Sequence, residues 1–103
     1  MYVLVRRDLT LEQQAVQACH AAFEAGFQFG RPVDTPSPNL VFLGVNDRKH
    51  LLEMQLRLKY ADISAAVFTE EDDGVGETAL ATAPIVGRHR RYFCKLLMWK
   101  AAS

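Results

Sequence analysis

The sequence predicts a three-layer α/β/α domain built on a mixed four-stranded sheet whose last strand is antiparallel. Three observations carry that expectation. Short β-branched runs alternate with long amphipathic segments in the first half of the chain, the pattern of strand–helix–strand units. Two further apolar runs follow, joined by a brief polar stretch with two glycines, which reads as an antiparallel pair. At 103 residues, the chain has material for one core and not two.

Taken in order, Tyr2-Val-Leu-Val-Arg6 is a β-branched and aromatic run that reads as a buried strand. Asp8-Leu9 turns the chain, and Thr10 with Gln13 three residues on is a capping-box signature for a helix running to about Phe27 or Phe29. On that helix Gln13, Gln17, His20 and Glu24 share one face, while Ala15, Cys19, Phe23 and Gly26 form another that reads as the buried side. Arg31 to Asn39 holds three prolines and reads as an irregular loop. Leu40 to Val45 is a second strand. Asn46 is placed to cap a second helix from about Asp47 to Tyr60, with Leu51, Leu52, Met54, Leu56 and Leu58 as its buried side. Ile63–Thr69 and Thr78–Thr82 form the late strand pair, Pro84–Phe93 reads as a short helix with Arg90-Arg-Tyr-Phe-Cys94 alternatively extended, and Leu96–Trp99 ends the core.

Composition removes several function classes. Twelve basic residues balance twelve acidic ones, so no net field steers the molecule toward nucleic acid or a membrane surface. Arg6, Arg7 and Asp8 interrupt the opening apolar run, which excludes a signal-peptide pattern, and no apolar run approaches the length of a membrane span. Cys19 and Cys94 lack the spacing of a disulfide framework and read as buried thiols in a reducing compartment. The expected location is cytoplasmic.

Three groups of residues could carry chemistry. Gln17 and His20 are helix neighbours, and an imidazole exchanges a proton near neutral pH. The same pair also fits a hydrogen-bonded histidine at a helix–sheet edge. Glu70, Glu71, Asp72, Asp73 and Glu77 crowd the late turn, where one carboxylate could pair with His20 and fix its tautomer for general-base work. Such a cluster is equally a solvated hairpin loop, and it lacks the spacing of a calcium loop. Arg88, Arg90 and Arg91 surround His89 and precede Tyr92, a local candidate for phosphate contact or a plain charged surface. No GxSxG elbow, phosphate loop, HExxH pair or zinc-site spacing occurs.

Read together, these pieces resemble the type II peptidyl-tRNA hydrolases, in order over nearly the whole chain. Val3-Leu-Val-Arg-x-Asp8-Leu9 looks like the family's first strand and Arg-x-Asp-Leu exit. Gln17-Ala-Cys-His20-Ala21 is similar to its Gln-x-x-His-Ala helix motif. Asn46-Asp47 and the leucine-rich helix stand where its second β–α unit stands. Asp72-Asp73-Gly74 looks like its Asp-Ala-Gly, and Thr78-Ala-Leu-Ala-Thr-Ala-Pro84 resembles the strand that follows.

The resemblance implies a cytoplasmic, commonly dimeric hydrolase, without a cofactor, that cleaves the ester joining a peptide to the 3′ end of tRNA. His20 and Asp72 would then form the acid–base pair that activates water, with Gln17, Asp73 and Thr78 on the substrate side. The resemblance does not specify a phosphate contact, for which Arg88, Arg90 and Arg91 remain the candidate from the residues themselves.

The departures are chemical. Gln13 stands where the family carries a lysine, the strand-to-helix connection is about two residues shorter, and Val75-Gly76 replaces an Arg-Thr pair. Two reactions and one non-reaction therefore compete: hydrolysis of peptidyl-tRNA, hydrolysis of a smaller and less anionic acyl ester, or a binding module that has kept the scaffold without the chemistry. A metal-assisted hydrolase at the acidic loop is a further alternative.

Overall fold

The computed structural model describes residues 1–30, 40–85 and 87–99, and only the backbone of Asp73, Gly87 and Leu97. The predicted loop from Arg31 to Asn39 lies outside the described residues. Strand β1 spans Tyr2–Arg6, helix α1 Leu11–Phe29, β2 Val41–Val45, α2 Arg48–Tyr60, β3 Ala65–Glu70 and β4 Gly76–Thr82. A single 3-10 turn at Asp72–Gly74 links β3 to β4. A second 3-10 stretch, Gly87–Phe93, stands where a short helix is predicted, and a two-residue strand β5 follows at Leu97–Met98.

The predicted mixed sheet is present, in the order β3-β4-β1-β2, with β5 added at the β2 edge. β1 and β2 run parallel, whereas β4 is antiparallel to both β1 and β3. Two residues are too few to give a periodic signal, so β5 is invisible to pattern reading. It is fixed from outside instead, by the Trp99 ring stacked on Phe42 at 4.7 Å and the Trp99 indole N–H donating to Gln14 Oε1 at 2.8 Å.

The two faces of the sheet are covered by different chemistry. Leu4, Leu43, Val45 and Leu80 pack under Leu51, Met54 and Leu58 of α2, a layer of large aliphatics. Val3, Val5, Ala66, Ala79 and Ala81 pack under Ala18, Ala21 and Ala25 of α1, a layer made largely of alanine. Alternation along β4 sends Leu80 to one helix and Ala79 and Ala81 to the other. Small side chains on both surfaces let α1 lie close to the sheet.

That alanine layer corrects the predicted face of α1. The buried residues are Gln14, Gln17, Ala18, Ala21 and Ala25. Ala15, Cys19, Phe23 and Gly26 all lie on the exposed side, with Phe23 at 71% and Phe27 at 82% exposure. Both cysteines, Cys19 and Cys94, are exposed rather than buried. On α2, Leu51, Met54 and Leu58 are buried as expected, Leu52 is partly covered, and Leu56 faces outward.

The helix starts are specified locally. At α1 the capping box is complete, because Thr10 Oγ1 accepts from the Gln13 N–H and Gln13 Oε1 accepts from the Thr10 N–H. At α2 the cap is Asp47 and not Asn46. Its carboxylate accepts from the His50 N–H at 2.9 Å, and His50 Nδ1 accepts in turn from the Asn46 N–H at 3.0 Å. Asn46 thus lies one residue outside the cap and is held by the histidine.

Candidate functional site

A cleft of about 350 Å³ opens where the first turns of α1 face the β3–β4 turn, lined by Leu9, Glu12, Gln13, Val16, Gln17, Glu70, Asp72, Val75 and Thr78. It sits at the carboxyl end of β1, the side on which open α/β sheets take ligands.

Its back wall is a hydrogen-bonded chain across three elements. The buried Thr78 hydroxyl donates to Gln17 Oε1 at 2.8 Å, and Gln17 Nε2 donates to Glu70 Oε2 at 3.2 Å. The other Glu70 oxygen accepts from the Asp72 N–H at 3.2 Å. This order fixes the amide. Flipping Gln17 would turn its carbonyl oxygen onto the Glu70 carboxylate, two acceptors face to face. Gln17, only 6% exposed, therefore ties α1 to β4 and to the end of β3, and fixes the backbone that carries Asp72.

Behind the lining residue Val75 stands Arg6, at the end of β1 and nearly buried. Its guanidinium forks onto Asp8, with Nε to Oδ1 at 2.9 Å and Nη2 to Oδ2 at 2.8 Å. Its Nη1 donates to the carbonyls of Val75 at 2.6 Å and Glu77 at 3.1 Å. The Arg-x-Asp sequence at the end of β1 is thus a clamp on the β3–β4 turn. Next to it, Gly76 has φ +75°, and a Cβ there would meet Arg48 Nε at 2.7 Å. That same nitrogen pairs with Glu77 Oε1 at 2.9 Å, so glycine serves both the turn and the ion pair.

The Arg6 hydrogen bonds hold the Asp8 carboxyl below the usual carboxylate range. A lowered acid contributes stability above its unfolded pKa of about 3.9 and loses it as pH falls through the folded value. Urea midpoints should therefore drop between about pH 5 and pH 2 more steeply in the wild type than in Asp8→Asn. Parallel pH profiles for the two proteins would show that the fork contributes nothing.

The residues singled out from sequence distribute over three places. Gln17, Asp72 and Thr78 share the cleft, and the Asp73 side chain lies outside the described residues. His20 does not line the cleft. It stacks on Phe68 at 4.4 Å and lines a neighbouring apolar trough with Ala15, Val16, Cys19 and Phe23. Val16 borders both depressions.

The arginine cluster lies at the opposite end of β1. Phe93 stacks on Tyr2 at 4.0 Å, and the pKa of the Met1 amino group is lowered by burial and then by the charge of Arg90. Arg88, Arg90 and Arg91 are exposed there, about 13 Å of strand away from the Arg6 end that carries the cleft.

Sequence reasoning missed Arg6 and Glu12 as residues that build the site and did not separate Glu70 from its acidic neighbours. Glu70 had one readable signal, its position immediately after the apolar run that ends at Thr69, where a carboxylate can turn back onto the sheet. Among the described residues, no three His, Cys, Asp or Glu side chains gather to hold a metal ion, and no helix is long and apolar enough to cross a membrane.

No protein-family model matches the chain. No curated protein matches it either. Among solved structures, it is similar to a protein of unknown function from Agrobacterium tumefaciens strain C58, at 14% identity, with 96% of each chain covered and a TM-score of 0.70. Likeness at that identity concerns the fold alone.

Proposed function

We propose that the protein is a divergent peptidyl-tRNA hydrolase-like enzyme that hydrolyses a carboxylic ester in the cleft between α1 and the β3–β4 turn. The observation that carries this reading is the buried Gln17 amide clamped between Thr78 and Glu70, with Asp72 on the same cleft. In the proposed step, Asp72 takes a proton from water as the water oxygen bonds to the acyl carbon. The ester C–O bond then breaks, and the proton passes to the departing alcohol oxygen. Gln13, whose Oε1 is held by Thr10, offers its amide N–H to the oxygen that becomes negative. His20, in the adjoining trough, packs against the acyl group and has no part in the proton transfer. A cytoplasmic homodimer belongs to the same reading.

One observation favours a second reading, a binding module without chemistry. Among the described residues, no lysine or arginine lines the cleft, and the arginine cluster stands at the far end of β1.

Hydrolysis decides between them. Purified protein should release the acyl group from peptidyl-tRNA or from a small aminoacyl ester faster than buffer does. Rates equal to the uncatalysed rate on both substrates would overturn the enzyme reading and leave the binding module.

A further inference from the structure

We infer that the cleft selects acyl groups carrying a free, positively charged amine, and that the adjoining trough holds their apolar body. The inference rests on the proposal that this cleft is the substrate site. Glu12, Glu70 and Asp72 line it together with the carboxamides of Gln13 and Gln17.

The nearby cations are already engaged. Arg6 is forked onto Asp8 and Arg48 is paired with Glu77. The partial positive charge of the α1 N-terminus is offset by Glu12 in its first turn. A tRNA phosphate entering here would meet carboxylates of its own sign, whereas an ammonium group would meet the carboxylates of Glu12 and Asp72, with the already bonded Glu70 adding to the negative field.

The kind of cation follows from how the carboxylates are spread. They do not gather as a metal would require, since no such group of three exists among the described residues. A cleft of about 350 Å³ with dispersed acceptors instead fits an organic ammonium and its fan of N–H donors. The second part of the ligand is indicated by a separate feature. The trough of Ala15, Val16, Cys19, His20 and Phe23 is almost wholly apolar and meets the cleft at Val16. A ligand spanning both has a cationic end and a short apolar arm, the form of an amino acid with an apolar side chain. Acetylating its amine removes the charge and adds bulk where the carboxylates lie.

The test uses binding, so that it is independent of turnover. Leucinamide and N-acetyl-leucinamide are titrated into the full chain and followed by backbone and side-chain amide chemical shifts. Leucinamide should bind about ten-fold more tightly or better, shifting the Gln17 side-chain amide and the Val16 and Asp72 backbone. The preference should shrink in 1 M salt, which screens charges beyond about 3 Å, and in a Glu12→Gln, Asp72→Asn double variant with an unaltered circular dichroism spectrum. Leucinamide binding without ester turnover would sink the hydrolase proposal and leave the amine selectivity standing. Equal affinities, tighter binding of the acetylated compound, binding of neither, or shifts confined to other surfaces would overturn the inference.

Discussion

Arg6→Met should lower the stability of the fold by about 3 kcal/mol, the midpoint of urea unfolding moving while its slope stays constant. Methionine preserves the packing of the arginine stem and removes only the guanidinium. Four hydrogen bonds are lost, and their consequences are unequal. Asp8 is 40% exposed, so water takes over much of its solvation, and its share is small. The Val75 and Glu77 carbonyls belong to half-buried residues and are bonded to an arginine at 9% exposure, so water replaces their donor less readily. Two carbonyls left without a donor at about 1 to 1.5 kcal/mol each account for most of the loss. In a domain of this length, that corresponds to a fall in Tm of roughly 15 °C. A loss under about 1 kcal/mol would show that the turn is held by its own backbone and not by the clamp. Val75 lines the cleft, so the same variant should also weaken whatever the cleft binds.

Local signals proved legible and distant ones did not, and Arg6 illustrates why. In the sequence it marks only the end of an apolar run. Its Asp8 partner is two residues away, but its carbonyl partners lie 69 and 71 residues along the chain. Gln17 reads as part of a polar stripe, and Gln14 carries no sign of burial, for the same reason. Their burial depends on Trp99, Thr78 and Glu70, which only the fold brings near. By contrast, Thr10 and Gln13 form their capping box entirely within one turn, and the spacing alone reveals it. The order of strands and helices was readable because period-2 and period-3.6 patterns need no partner to be recognised.

The misassigned face of α1 has a different cause. Hydropathy ranks Phe23 above alanine, so a reading by size buries it. The sheet under the middle of α1 presents Ala66, Ala79 and Ala81, against which Ala18, Ala21 and Ala25 pack, while aromatic rings such as Phe29 and Phe68 are only partly buried beside that layer. Helix and strand surfaces are complementary in volume, and volume matching between segments far apart in the chain cannot be read from either one. The consequence reaches the site. Turning α1 to bury its alanines carries Gln17 inward to Thr78 and Glu70 and leaves His20 on the trough against Phe68. A histidine and an aspartate that sequence logic would pair are thereby assigned to adjacent depressions.

That separation leads to a result in which the two candidate catalytic residues behave differently. Asp72→Asn should reduce ester hydrolysis about a hundred-fold, the low end of what a positioned general base supplies, while shifting stability by under about 0.5 kcal/mol. The stability expectation follows from the contacts. The Asp72 N–H and carbonyl are engaged with Glu70 and Val75, but its side chain is exposed, and asparagine leaves the backbone bonds intact. His20→Ala should cost no more than about three-fold, chiefly through KM, because His20 contributes a ring face to the trough and does not reach the reacting water. Measuring kcat and KM for both variants separates the possibilities. A drop in kcat of similar size for both would mean that imidazole and carboxylate act as one unit, since groups that share a proton are lost together. An Asp72→Asn protein that retains full kcat would remove Asp72 as the base and leave Glu12 as the cleft's other exposed carboxylate, because Glu70 already has both oxygens engaged by Gln17 and the Asp72 N–H.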